Sequence, residues 1–242
     1  YGVSMASKQP RRNLDVLMKY RNDKRYLGLS NMIDKDNKSI YGLEFSYETI
    51  PNELNLFDYD AFKQYKGDFY CVVTNLLTGQ PEYMKYTGDD RTNTVLKATC
   101  ALPMLFPPII INDVPYMDGG LSDSIPYLKA IEDGCDRIIV VLTRQSGYTK
   151  TTSRSTKAIA YSYRNQYPKL TETMLTRASR YNESLKGLDQ YVKEGRIITI
   201  QPTTSKGFSR LEKDKNKIQG GIEMKLVPLG DRVVLKQLQP VL

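Results

Sequence analysis

The stretch Tyr116-Met117-Asp118-Gly119-Gly120-Leu121 constrains the fold of this chain more than any other feature. Apolar segments at 109–111 and 114–117 flank an Asn112-Asp113 turn, which predicts a β-hairpin. The two glycines that follow allow backbone angles that a side chain would forbid, so the chain should turn sharply there. We therefore expect Asp118 to stand at the end of a strand and to face a cleft.

The segment after this turn predicts a strand, helix, strand unit. Ser124-Ile125-Pro126 can begin a helix, with serine as the cap and proline in the first turn, and Gly134 can end it. The apolar run 138–142 then has the pattern of a parallel strand covered on both faces. We expect a three-layer α/β fold with a mostly parallel central sheet and helices on both faces, in which ligands bind at the carboxyl ends of the strands.

Apolar periodicity predicts the remaining elements. The pattern indicates helices at 13–20, 57–65, 92–100, 159–167 and 170–192, and strands at 68–75, 82–87 and 197–200. Alternating polar and apolar residues across 31–50 predict an extended arm or hairpin that ends at Pro51.

Composition limits the class of protein. The chain has 242 residues, of which 40% are hydrophobic and 26% charged, so it can bury the core of one large globular domain. No run approaches the roughly 20 apolar residues that span a bilayer, and no secretory signal is visible. The widely spaced Cys71, Cys100 and Cys135 are typical of reduced thiols in the cytosol, and we expect a cytoplasmic protein that can lie peripheral to a membrane. Because the sequence begins with Tyr1, we also expect residues upstream of it.

The chain contains no histidine, which excludes Ser-His-Asp and Cys-His machinery and every imidazole metal site. A base must then be a carboxylate, a lysine or a tyrosine, and a carboxylate beside a serine hydroxyl is the least demanding replacement. Asp118 is the best placed candidate. Paired acids such as Asp89-Asp90 lack the ligand spacing of a calcium loop, so we predict no metal.

The formal net charge of +8 favours anionic partners. The basic residues are spread along the chain, however, and a solvated face explains them without any partner. We expect no binding of nucleic acid. A catalytically silent module that docks on anionic membrane or on an acidic partner remains the alternative to an enzyme.

Four segments resemble the patatin-like phospholipases, and in particular a bacterial subgroup of that family. Ala98-Thr99-Cys100-Ala101-Leu102-Pro103 is similar to the stretch before the family's hairpin, and Asp118-Gly119-Gly120 resembles its Asp-Gly-Gly/Ala turn. Tyr20-Arg21-Asn22-Asp23-Lys24-Arg25-Tyr26 and Tyr181-Asn182-Glu183 are similar to the bacterial subgroup.

The resemblance implies hydrolysis of lipid or carboxylic esters by a Ser-Asp dyad, without a cofactor. In that family the serine stands on a G-x-S-x-G elbow, downstream of a glycine-rich oxyanion loop. Asp118 would be the general base, Gly119 and Gly120 would shape the turn, and the 103–108 segment would line the acyl site. The acyl-chain length, the headgroup preference and the oligomeric state stay open.

Gly2-Val3-Ser4-Met5-Ala6 departs from the family pattern. It has the spacing of an elbow, but it ends in alanine and no apolar strand precedes it, whereas an elbow joins a strand to a helix. We expect Ser4 to lie in a helix and keep it only as an alternative nucleophile. The oxyanion loop, the nucleophile and the amino-terminal strands should then lie upstream of Tyr1.

The carboxyl terminus departs as well. Residues 224–237 resemble the opening strand of a co-chaperonin of the ten-kilodalton class, which nothing in the patatin-like family requires. We therefore expect an acyl hydrolase domain over 1–222, incomplete at its amino terminus, and an atypical tail over 223–242.

Overall fold

A computed structural model describes residues 2–33, 39–202 and 214. The α-helices in these ranges are α1 (Gly2–Ala6), α2 (Arg12–Tyr20), α3 (Tyr59–Lys63), α4 (Thr94–Cys100), α5 (Tyr127–Glu132), α6 (Arg154–Ser162) and α7 (Pro168–Lys193). Leu29–Met32 and Gly119–Leu121 form 3-10 turns, and Phe45–Leu54 forms a π-helix. The strands are β1 (Tyr70–Asn75), β2 (Pro81–Lys85), β3 (Ile109–Ile111), β4 (Val114–Asp118), β5 (Ile138–Val141) and β6 (Ile197–Ile200).

The main sheet has four strands in the order β2-β1-β4-β3, and every pair in it is antiparallel. The prediction of a mostly parallel central sheet is therefore wrong, although the α/β class holds. For β1 with β2 and for β3 with β4 the reason lies in the short connections, because a tight hairpin can join only antiparallel strands. Strands β1 and β4 pair across a longer connection that contains α4. Between β3 and β4, Asn112 and Asp113 have φ angles of 49° and 63°, as the expected hairpin turn requires.

Strands β5 and β6 form a separate parallel pair, in which Ile138 lies opposite Ile197. Helices α6 and α7 make the crossover connection between them. The predicted strand, helix, strand unit after the Asp118 turn is thus only partly correct, because β5 pairs with β6 instead of extending the sheet that contains β4. Its two-sided burial is also wrong, since Ile139 and Val141 are exposed on one face.

The segment 45–54 is a π-helix, so the prediction of an extended arm that ends at Pro51 is wrong there. The amide of Asn55 donates to the carbonyl oxygen of Ile50, five residues earlier, and Pro51 lies inside the helix. Phe45 and Ile50 are buried and pack with Tyr20 of α2. The alternation of apolar residues that suggested a strand instead places them against a helix.

The core joins the main sheet to helix α7. Leu76 and Met117 of the sheet region are fully buried and form one cluster with Leu170 of α7. On the sheet's α4 side, Val73, Ala98 and Tyr116 pack together. The strand that carries Asp118 is therefore packed against α4 and held near α7 by the turn that follows it.

Helix α6 begins earlier than predicted because Ser153 caps it, its hydroxyl oxygen accepting from the amide of Thr156. In the described ranges, none of the helices combines the length and the apolar character that crossing a membrane requires. The atypical tail predicted over 223–242 lies outside the described residues.

Candidate active site

Asp118 is the last residue of β4 and precedes the 3-10 turn Gly119–Leu121. Its Oδ1 atom accepts a hydrogen bond of 2.7 Å from the amide of Gly120. Its own amide donates to the carbonyl oxygen of Ala101 at 2.9 Å, and its carbonyl oxygen accepts from the hydroxyl of Thr74 at 2.8 Å. The strand, the turn and the end of α4 together fix this half-buried carboxylate.

Neither Gly119 nor Gly120 has a positive φ, so the need for glycine comes from the space around them, strictly at Gly119 and less so at Gly120. A Cβ atom on Gly119 would lie 2.2 Å from the carbonyl oxygen of Val72, inside the backbone of β1. A Cβ atom on Gly120 would lie 3.0 Å from Asp118 Oδ1 and 3.4 Å from Arg177 Nη2. The sequence prediction of a glycine turn is confirmed, but its reason is close approach and not an unusual backbone angle.

The carbonyl oxygen of Gly120 anchors this turn. It accepts from Nε of Arg177 on α7 at 2.6 Å and from the hydroxyl of Ser124 at 2.7 Å. Ser124 therefore stabilises the Asp118 turn and does not cap α5, which begins at Tyr127 without a side-chain cap.

A cavity of about 580 Å³ opens beside α1, α2, the π-helix and the end of α4. Its walls are mainly apolar and include Val16, Leu17, Ile50, Phe57, Leu105 and Phe106. Leu105 and Phe106 belong to the 103–108 segment that the sequence analysis placed beside an acyl site. A cavity of this size and character suits a small, largely apolar ligand.

Tyr47 and Cys100 line the cavity, whereas Asp118 is not among its lining residues. The amide of Asp118 donates to the carbonyl oxygen of Ala101, the residue that follows Cys100, so its carboxylate lies behind this part of the wall. The side chains of Tyr47 and Cys100 form a hydrogen bond, and the charge of Asp118 acts on both groups. Burial, and then the charge of Asp118, raise the pKa of the Cys100 thiol, while the hydrogen bond from Tyr47 partly offsets this effect. Burial above all raises the pKa of Tyr47 well above its usual value. Both groups are therefore protonated at neutral pH.

Cys100 has a large solvent-accessible surface, yet protein atoms surround its thiol on most sides. The two observations agree if its accessible surface faces the cavity instead of a flat outer surface. Sequence reasoning missed Tyr47 and Cys100 as site residues, because the two are distant in the sequence and meet only in the folded chain.

Ser4 lies in α1, as its sequence context predicted. Its side chain is buried, and its hydroxyl donates to Asn13 Oδ1 at 3.0 Å. Ser4 lines the same cavity as Cys100, but it stands within a helix and not at a strand-to-helix turn. The geometry thus brings Asp118, Cys100 and Tyr47 together, while the hydroxyl of Ser4 is directed to Asn13.

Two further polar residues of the cavity wall were not predicted. Arg12 and Ser46 line the cavity, and within the described residues neither Nε of Arg12 nor the hydroxyl of Ser46 has a hydrogen-bond partner. In the same part of the chain, cysteine and acidic side chains do not gather into a group of three that could hold a metal ion.

Comparison with known families agrees with this geometry. The model of the patatin-like phospholipases matches residues 2–131, more than half of the chain, and a domain of unknown function, DUF6363, matches residues 167–220. No curated protein matches the chain. The first match spans β1 to β4, Asp118 and the whole cavity wall. The chain belongs to the patatin-like phospholipase family.

Proposed function

We propose that this protein hydrolyses lipid or carboxylic esters through a Ser-Asp dyad in which Asp118 is the general base. The nucleophilic serine would be supplied by sequence upstream of Tyr1. The cavity beside Tyr47 and Cys100 would receive the acyl chain. Membership of the family supports a lipid substrate. The assignment of Asp118 to a dyad is our proposal and goes beyond that membership.

One observation carries this proposal: Asp118 is a positioned carboxylate next to a mainly apolar cavity. Its Oδ1 atom is held by the amide of Gly120, and its charge reaches Tyr47 and Cys100 in the cavity wall. A general base needs a fixed position near the hydroxyl that it deprotonates, and an acyl site needs apolar walls. The two requirements meet at this end of β4.

The chemistry follows from the carboxylate. Asp118 would accept the serine proton as the serine oxygen bonds to the ester carbonyl carbon, while backbone amides stabilise the resulting oxyanion. The alcohol would leave with the proton from Asp118. Water, deprotonated by the same carboxylate, would then attack the acyl carbon, and the serine oxygen would leave with the proton from Asp118 as the carboxylic acid is released. No histidine is needed at either step.

The alternative is a catalytically silent module that docks on anionic membrane. The formal net charge of +8 favours it, because a basic protein is attracted to an anionic surface. Docking through exposed charge should be strong on anionic vesicles at low salt and collapse at high salt, whereas ester turnover should depend on Asp118. Vesicle sedimentation at the two salt concentrations separates these functions.

A fluorophosphonate probe tests the dyad, with peptide mass spectrometry to locate the adduct. In a protein that carries the sequence upstream of Tyr1, we expect the label on an upstream serine, and we expect Asp118→Asn to slow labelling. Asp113→Asn, in the exposed hairpin turn of the same strand pair, is the matched control and should label normally. Label on Ser4, or labelling unaffected by Asp118→Asn, would contradict the proposal.

A further inference from the structure

Arg12 is the only charged side chain among the described residues that line the apolar cavity. An isolated cation in such a wall is unfavourable unless something compensates it. The guanidinium donates from Nη2 to the carbonyl oxygen of Asn55 at 2.7 Å and lies 5.5 Å from the ring centre of Phe57. Neither contact supplies a negative charge, and no carboxylate is paired with Arg12 in the described ranges.

The hydrogen-bonding capacity of this wall is also incomplete. Nε of Arg12 is fully buried and has no acceptor among the described residues, and the same holds for the buried hydroxyl of Ser46 on the π-helix. A buried polar group without a partner is destabilising. Both atoms are closed off from the cavity in this structure, so pairing them with the acceptors of a ligand would require the two side chains to turn toward it. Burial lowers the pKa of Arg12, but an arginine keeps its proton in proteins.

We propose that Arg12 binds the anionic oxygens, phosphate or carboxylate, of an amphiphilic ligand whose apolar part fills the cavity. A guanidinium suits such a group because it presents several N–H donors in one plane to two oxygens at once. Only the identification of this ligand with a lipid substrate rests on the proposed function. The binding of an anionic amphiphile by Arg12 does not require hydrolysis.

Arg12 and Asp118 act on different residues of the site. The guanidinium of Arg12 donates to Asn55 at the end of the π-helix, whereas the amide of Asp118 donates to Ala101 at the end of α4. A ligand that fills the cavity can therefore place its anionic group at Arg12 and its ester near Asp118. On the proposed function, this favours esters of anionic lipids over neutral esters of equal chain length.

Calorimetric titration with four probes tests the inference without any turnover. Dodecyl phosphate and dodecanoate carry the anionic group and the chain, dodecanol carries only the chain, and inorganic phosphate carries only the charge. We expect both anionic amphiphiles to bind more tightly than dodecanol and inorganic phosphate, and the tighter of the two identifies the preferred oxyanion. Equal binding of dodecyl phosphate and dodecanol, or of dodecyl phosphate and inorganic phosphate, would overturn the inference.

Variants then assign the effect to Arg12. Arg12→Gln should lower the affinity for dodecyl phosphate by about 10- to 100-fold, which corresponds to the loss of a hydrogen bond to a charged group. Its affinity for dodecanol should not change. The exposed neighbour supplies a matched control, because Arg11→Gln removes the same charge away from the cavity wall. An equal loss in both variants would indicate a diffuse charge effect and contradict the assignment.

Arg12→Gln also removes the contact with Asn55, so the variant is informative only if its circular dichroism spectrum matches that of the wild type. If Arg12→Gln does not fold, a measurement on the wild-type protein replaces it. Phenylglyoxal modifies arginine side chains, and dodecyl phosphate should protect Arg12, but not Arg11, when the adducts are located by mass spectrometry. Equal modification of Arg12 with and without dodecyl phosphate would overturn the inference.

Turnover remains a separate question, so the two proposals can fail independently. If Asp118→Asn retains hydrolysis but the binding of dodecyl phosphate still depends on Arg12, the dyad assignment fails and the anion site stands. If hydrolysis needs Asp118 but Arg12→Gln keeps full affinity for dodecyl phosphate, the anion site fails and the dyad stands.

Discussion

Nε of Arg177 donates to the carbonyl oxygen of Gly120 at 2.6 Å, so helix α7 holds the turn that follows Asp118. The two residues are far apart in the sequence and belong to segments matched by different family models. The carboxylate at the end of β4 is thus positioned in part by a residue outside the patatin-like match.

Removal of this contact should destabilise the protein. Arg177→Ala loses a hydrogen bond from a charged group, so we expect the free energy of unfolding in urea to fall by about 1.5–3 kcal/mol. Lys186→Ala, at an exposed position on the same helix, is the control and should change stability little. If the two variants unfold at the same urea concentration, Arg177 does not anchor the turn.

The two glycines after Asp118 should respond differently to alanine. In Gly119→Ala the new Cβ meets the backbone of Val72, which cannot move without disturbing β1. We therefore expect the free energy of unfolding to fall by at least about 1–3 kcal/mol. In Gly120→Ala the Cβ meets only the side chains of Asp118 and Arg177, which can shift. That variant should keep most of its stability and lose turnover. Thermal unfolding and an ester assay on both variants check this order.

Asp90 should make the protein sensitive to acid. Burial of this carboxylate opposes its ionisation, but hydrogen bonds from Thr92 and Thr94 outweigh that effect and hold its pKa at about 2. Because the folded pKa lies below the ordinary value, the stabilisation is complete above about pH 4 and disappears as the pH falls toward 2. Asp90→Asn should lower the melting temperature at pH 7 and lower it less at pH 2. A difference independent of pH would contradict this assignment.

Thr199 offers a stabilising substitution. Its side chain is buried in β6, and its hydroxyl has no hydrogen-bond partner among the described residues. Thr199→Val keeps the branched shape that suits a strand and removes the unpaired hydroxyl, so we expect the free energy of unfolding to rise by about 1 kcal/mol. Chemical denaturation measures the change, with the exposed Ile198→Val in the same strand as the control. A less stable Thr199→Val protein would mean that the hydroxyl is satisfied.

The thiols should react in an order set by their surroundings. Burial raises the pKa of Cys71 to about 12, and burial with the charge of Asp118 raises that of Cys100, while Cys135 is exposed. Because the thiolate is the reactive form, iodoacetamide should label Cys135 first and Cys100 slowly despite its accessible surface. Tyr47→Phe should slow Cys100 further, since the hydrogen bond from Tyr47 favours the thiolate. Peptide mass spectrometry over time gives the order, and rapid labelling of Cys100 would contradict it.

The sequence was informative where short-range chemistry decides the structure. The Asn112-Asp113 turn, the strand at β6 and the position of Asp118 at a strand end depend on neighbouring residues, and all were predicted. The antiparallel arrangement of the main sheet was not predicted, because an apolar run does not specify which strand it pairs with. Strand β5 has the composition of a buried strand, yet it pairs only with β6 in the described chain and leaves Ile139 exposed.

The cavity could not be predicted for a related reason. Tyr47 was placed in an extended arm, because apolar residues that alternate around it fit the period of a strand. Its position against Cys100 depends on a π-helix and on the packing of that helix against α2. Arg12 resembled its exposed basic neighbours in the sequence, and only its place in the cavity wall distinguishes it from them.

The most direct measurement of the central claim compares kcat/KM for a medium-chain p-nitrophenyl ester between wild type and Asp118→Asn, in a longer protein of the kind that the proposed function requires, with a serine upstream of Tyr1. Asn keeps the shape of the side chain and removes the base. We predict a loss of about 10²- to 10⁴-fold, with circular dichroism and melting temperature preserved. Turnover that survives Asp118→Asn at the wild-type rate would contradict the role of Asp118 as the general base.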